Sequence, residues 1–107
     1  MPGTGPVADL EEATKRIHAL EPEIRSLGVA RLAVFGSILK GTAGPDSDID
    51  LLVEFLPGQK TFDRFLDLSD LLELRLGRHV ELVTPEALTL SIGRRILAEA
   101  RDVLRAA

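Results

Sequence analysis

The chain contains no Cys, no Trp and no Tyr, and its only aromatics are four Phe. Without Cys there is no disulfide framework and no thiolate metal site. So few aromatics leave no material for a base-stacking surface of the single-strand-binding kind, and the core must be built from Leu, Val, Ile and Ala. Positive charge is also short: 13 Lys and Arg stand against 17 Asp and Glu, a formal net charge of −4. An acidic chain has no general phosphate-neutralising field, so direct DNA binding is not expected. If it handles a polyanion, the compensating charge must come from metal ions, a few placed Lys or Arg side chains and backbone N–H groups. The two His, His18 and His79, are isolated in the sequence and suggest no ligand cluster. No apolar run is long enough for a bilayer, and the N-terminus lacks a basic region followed by an apolar one. No membrane association is expected, and the cytoplasm is the default compartment.

What is present fits one domain. The length is 107 residues with 45% hydrophobic and 28% charged, enough for a single core and too little for two. Residues 1–8 hold Pro2, Gly3, Gly5 and Pro6 and read as a frayed, flexible tail before a domain over 9–107. Asp9 is a helix cap followed by Glu11 and Glu12 in the first turn; Leu10, Ile17, Leu20, Ile24 and Leu27 recur at helical spacing, Pro22 divides the helix, and Gly28 ends it. Residues 31–35 predict a short buried strand, 38–47 a Gly- and Pro-bearing loop with one helical turn, and 48–55 a second strand closed by Pro57-Gly58. A helix is expected from Thr61 to Leu76, a strand over 79–83, a helix capped by Thr84 with Pro85 first, and a last helix over 92–104. This order predicts an α/β (α+β) fold: a small mixed β-sheet with helices packed on one side.

Two short features carry chemistry. Asp48 and Asp50 enter the second strand two residues apart. In a strand they share a face with Cα atoms about 6.5–7 Å apart, so their carboxylates can converge on hard cations. Uncompensated, two like charges at the mouth of a buried strand are unfavourable. A bare D-x-D is common by accident, and Asp48 can equally be a turn residue with Asp50 solvated. Gly36-Ser37 directly follows the first strand. Gly lets an anion approach the backbone closely, and N–H groups with a hydroxyl can receive a phosphate. Alone, this too is a common strand-ending turn. Together they read G-S-x10-D-x-D-L-L-V, with Lys40 and Gly41 in the gap. A phosphate cradle and metal carboxylates then come from two consecutive strands and face one crevice. The order Lys40-Gly41-Thr42 does not match a Walker P-loop.

The segment VFGSILKGTAGPDSDIDLLVEF resembles the minimal, one-domain members of the nucleotidyltransferase superfamily related to DNA polymerase beta, the MNT proteins, and TFDRFLDLSDLLELRLGRHVELVTPEAL continues the likeness, so that residues 30–90 are covered. The resemblance implies the polymerase-beta-like nucleotidyltransferase fold and a Mg2+-dependent enzyme with two ions. It would transfer AMP from ATP, a nucleoside triphosphate, to a hydroxyl. Members of this kind accompany HEPN toxins as antitoxins, and the acceptor is then a tyrosine of the partner HEPN toxin. The resemblance makes Asp48 and Asp50 catalytic metal ligands and assigns the nucleotide to Gly36, Ser37 and Lys40. Its third acid matches Glu81, a catalytic metal ligand as well. The residues themselves leave two readings of Glu81, between Val80 and Leu82: a strand charge that needs a cation beside it, or an edge-strand side chain in water. Two departures stand out. The family more often has Asp where this chain has Glu81, and a small residue and Arg where it has Leu39 and Lys40. Lys keeps the charge without the bidentate fork. The alternative function is an antitoxin that neutralises its partner by binding alone.

Other residues read as structural. Arg64 and His79 are taken as a solvated helix residue and a strand-end residue, and Arg94, Arg95 and Arg101 as a solvated face with Glu99 and Asp102 at helical spacing. Leu71, Leu72, Leu74 and Leu76 nearly encircle one helix, which suits either a central core helix or an interface with a partner or a second copy, a homo-oligomer.

Overall fold

The structure is a computed structural model that describes residues 5–42, 44 and 47–105. The elements run α1 (Leu10–Ala19), α2 (Glu21–Ser26), β1 (Val29–Phe35), α3 (Ser37–Lys40), β2 (Ile49–Phe55), α4 (Phe62–Leu76), β3 (Val80–Val83), a 3-10 turn (Pro85–Ala87), α5 (Leu90–Glu99) and β4 (Arg101–Arg105). The four strands form one mixed sheet in the order β3-β2-β1-β4. β1 is antiparallel to β2 and β4, whereas β2 and β3 are parallel, joined by the α4 crossover.

Local chemistry explains most boundaries. Asp9 caps α1 by accepting the Glu12 N–H at 2.9 Å, and Thr61 caps α4 by accepting the Arg64 N–H at 3.1 Å. Pro22 sits in the first turn of α2, where its missing N–H is not needed. Gly77 ends α4 at φ 69°. One face of the sheet buries Leu32, Val34, Ile49, Leu51, Val53, Val80 and Leu82 against Ile17 of α1, Ile24 of α2, Ile38 of α3 and Leu68, Leu72 and Leu76 of α4. That apolar layer holds α1 to α4 on one side, while Ala33 and Leu52 are buried on the other face of the sheet. On that second face Asp50 pairs with Phe35 on one neighbour and with Glu81 on the other.

Three expectations are corrected. First, the tail over 1–8 is docked at Val7: its side chain is 2% exposed, and its N–H donates to Leu76 O at 3.0 Å. Its carbonyl also accepts from Arg78. A free carbonyl at the end of α4 is satisfied in this way, whereas residues 1–4 lie outside the described residues. Second, the last helix begins at Leu90 and stops at Glu99, and Arg101–Arg105 form a strand. Arg and Leu favour helix, yet the open side of β1 offers Arg101–Arg105 a ladder of hydrogen bonds that outweighs propensity. Arg101 and Asp102 therefore leave the helix, and Asp102 Oδ1 accepts from Arg31 Nε at 2.5 Å. Third, the helix capped by Thr84 is only a three-residue 3-10 turn without a side-chain cap. Within the 38–47 loop, Ala43, Pro45 and Asp46 lie outside the described residues, as do Ala106 and Ala107 at the end of the 9–107 domain.

The leucines of α4 divide. Leu72 and Leu76 are core, while Leu74 is 77% exposed and Phe62 is 75% exposed, with Leu66 also open. Spaced at four-residue steps through Asp70, they form a stripe along one side of α4.

Candidate active site

β1 ends at Phe35, and the chain turns at Gly36 with φ 75° and ψ −154°, a backbone region essentially restricted to Gly. The reason lies across the strand pair: a Cβ on Gly36 would overlap the Asp50 carboxylate. Gly36 is thus required twice, for its backbone angles and for the approach of Asp50. The next residue, Ser37, opens α3, whose first N–H groups have no acceptor within the helix. Lys40 N donates back to Gly36 O at 3.2 Å, and Thr42 N closes the turn on Ser37 O at 3.0 Å.

On the carboxylate side, β2 begins at Ile49, so Asp48 precedes the ladder. Its place is fixed instead by neighbours: Ile49 N donates to His79 O at 2.9 Å, and Arg78 donates to Gly44 O at 2.6 Å and to Ser47 O. Glu81 is brought alongside by register, since Asp50 and Glu81 are Cα partners in the parallel β2–β3 pair. β3 is the edge strand and Glu81 is exposed, with its carboxylate on the same side as the other acids. Asp48, His79 and Glu81 each present one ligand atom, all within 4.8 Å of one another. His79 Nδ1 lies 3.1 Å from Asp48 Oδ1.

Asp50 is half-buried beside Gly36 and stands outside that three-residue group. Burial pushes its carboxyl above the ordinary value of 3.8, and the charges of Asp48 and Glu81 push it further. Such a concentration of carboxylates fits a divalent cation: hard oxygen donors converge, and a cation would remove the repulsion that Asp50 registers. Lys40, the third residue assigned to the nucleotide, has its ammonium 3.7 Å from Glu99 of α5 in an exposed pair. It also borders, with Gly41, Ile38, Asp9 and Glu11, an open groove of about 500 Å3 between α1 and α3; none of the three acids lines that groove.

Sequence reasoning set aside His79 and did not single out Glu73. The signal for His79 was its two-residue spacing from Glu81, which gives both side chains one face if the strand begins early. Glu73 carried no such signal. It reaches the site because α4 turns at Gly77 and brings its last turn against β3, where Glu73 Oε2 accepts the Val80 N–H at 2.9 Å. Arg64, also set aside, binds the Gln59 carbonyl and side chain.

The family model described as "Nucleotidyltransferase domain" matches residues 12–103. A protein adenylyltransferase, MntA, of Thermococcus cleftensis is 38% identical over 93 residues, covering 84% of this chain and 91% of that protein. A solved structure assigned as a minimal nucleotidyltransferase superposes with a TM-score of 0.79 at 36% identity, covering 91% of this chain and 98% of the other. An MNT antitoxin complex with a tri-AMPylated HEPN toxin from Shewanella oneidensis contains a chain that shares the fold, with a TM-score of 0.63 at 14% identity, 88% of this chain and 73% of that one. The chain belongs to the nucleotidyltransferase domain family. It is a nucleotidyltransferase, and its mixed sheet and helices match the fold of that minimal nucleotidyltransferase.

Proposed function

We propose that this protein transfers AMP from ATP to a tyrosine hydroxyl of a partner HEPN toxin and acts as that toxin's antitoxin, with Asp48, Asp50 and Glu81 holding Mg2+. The observation that carries the reading is the approach of Gly36 to Asp50, which puts the phosphate-binding turn and the carboxylates at one point. The adenylyltransferase relative supports the reaction type, and the AMPylated toxin complex supports the kind of acceptor.

The roles follow from position. Backbone N–H groups at Gly36 and Ser37 receive the terminal phosphates, and Lys40 exchanges Glu99 for phosphate oxygens as a mobile point charge. Asp48 and Glu81 stand at the solvent-facing side, where an acceptor from another protein can enter. Asp50 lies deepest, against the turn, and Glu81 can accept the hydroxyl proton. Mg2+ held here would stabilise charge on the triphosphate and the attacking oxygen during in-line displacement. The exposed Phe62, Leu66 and Leu74 on α4 and Leu90, Ile92 and Leu97 on α5 supply apolar surface for the partner.

ATP labelled at the α-phosphate, Mg2+ and the partner toxin provide the test. Label on the toxin with the wild type, and none with Asp48→Asn/Asp50→Asn or with γ-labelled ATP, supports the reading. An unlabelled toxin that both proteins silence equally replaces it with neutralisation by binding alone.

A further inference from the structure

The third donor of the exposed ligand group is a nitrogen. We infer that His79 is a direct metal ligand together with Asp48 and Glu81, and that the site consequently takes an imidazole-accepting transition ion such as Mn2+ in preference to Mg2+; this rests on the reading above that Asp48 and Glu81 hold a divalent cation.

Three observations converge on it. Ligand atoms at right angles on an ion with bonds of about 2.1 Å are about 3 Å apart, and those opposite each other about 4.2 Å. The His79 Nδ1 to Asp48 Oδ1 separation of 3.1 Å is of the first kind, and the 4.8 Å limit for the whole group needs only a small side-chain adjustment to reach the second. Next, the other ring nitrogen is provided for. His79 Nε2 lies 3.6 Å from Glu73 Oε2, and metal-bound imidazoles characteristically give their second N–H to a carboxylate, which sets the tautomer and raises ligand basicity. Finally, Glu73 is itself anchored, since the same oxygen accepts the Val80 N–H at 2.9 Å. Glu73 thus offers Nε2 an anchored carboxylate 3.6 Å away, while Nδ1 faces Asp48. Mg2+ favours oxygen and keeps its waters, whereas affinity for a nitrogen-bearing site rises along the first transition row, in which Mn2+ is the weakest binder and so the most stringent probe of an imidazole ligand. Glu73 is a positioning residue in this arrangement and His79 a ligand.

The test uses the full-length protein, without nucleotide, and Mn2+ as the probe. Paramagnetic resonance of free Mn2+ measures binding, and spin-echo modulation of the bound ion reports a directly coordinated 14N nucleus. The wild type is expected to bind Mn2+ with a 14N signal and to resist displacement by equimolar Mg2+. His79→Ala, at an exposed position, should lose the 14N signal and weaken Mn2+ binding about tenfold or more. Glu73→Gln, which can still accept the Val80 N–H, should weaken it about 10–100-fold. Mn2+ bound by the wild type without a 14N signal, yet lost in Asp48→Asn, overturns the role of His79 and leaves the carboxylate site standing. Mn2+ and Mg2+ binding that are both indifferent to Asp48→Asn overturn the inference and the metal reading beneath it together.

Discussion

Gly36, just past the end of β1, and Asp50 of the neighbouring β2 lie at a distance that leaves no room for a Cβ between them. The turn that can receive phosphate is thus built against the carboxylate that can face a metal, and neither can move without the other. Gly36→Ala should therefore be damaging on two counts, a disallowed backbone region and an overlap with Asp50. A stability loss of about 1–3 kcal/mol in urea unfolding is expected, with transfer activity lost even where the fold survives.

Asp50→Asn should have opposite effects on stability and function. The folded-state pKa of Asp50 is raised above 3.8, so the folded chain holds this proton more tightly than the unfolded one. Stability from this group is then present at pH below 3.8 and is lost as pH rises through the raised folded value. In metal-free protein at pH 7, Asp50→Asn should be more stable than wild type by less than about 1 kcal/mol, the scale of a solvent-screened charge interaction. The advantage should vanish near pH 3 in parallel unfolding curves, while transfer activity is absent throughout.

Arg78 joins the segment before Asp48 to the N-terminal segment, donating to the carbonyls of Gly44, Ser47 and Val7. Arg78→Ala strands those acceptors and should lower stability by about 1–3 kcal/mol. Because Ser47 leads directly into Asp48, it should also weaken divalent-ion binding, measured by calorimetry, with partial rescue by Arg78→Gln, whose amide can still donate to one carbonyl.

Lys40→Ala separates nucleotide binding from folding. Its pair with Glu99 is exposed and spans 3.7 Å, so thermal unfolding should change little. Loss of a charged contact to phosphate should raise KM for ATP about tenfold or more. An unchanged KM would remove Lys40 from the nucleotide site.

Much of this site was legible because its parts are close in the chain. Gly36 follows the end of β1 and Asp50 lies near the start of β2, and the two strands are consecutive and antiparallel, so the turn and the acid had to meet. Glu81 was legible only through resemblance, because its position beside Asp50 depends on the register of a parallel pair formed after a helix. Glu73 and His79 were not legible as partners. Their contact arises where α4 turns at Gly77, and in sequence Glu73 is simply one more acid on a helix. β4 was missed for a related reason: Arg101–Arg105 has helical propensity, and only the unpaired side of β1, with Arg31 waiting for Asp102, makes it a strand. Val7 escaped because two Gly and two Pro precede it, yet it seals the end of α4.

The most direct measurement is the intact mass of the purified partner toxin, with its modified residue mapped, after incubation with ATP and a divalent ion beside wild type or Asp48→Asn/Asp50→Asn. The account predicts AMP on a toxin tyrosine with the wild type and an unmodified toxin with the double variant. A toxin left unmodified by the wild type, or modified equally by both, would contradict it.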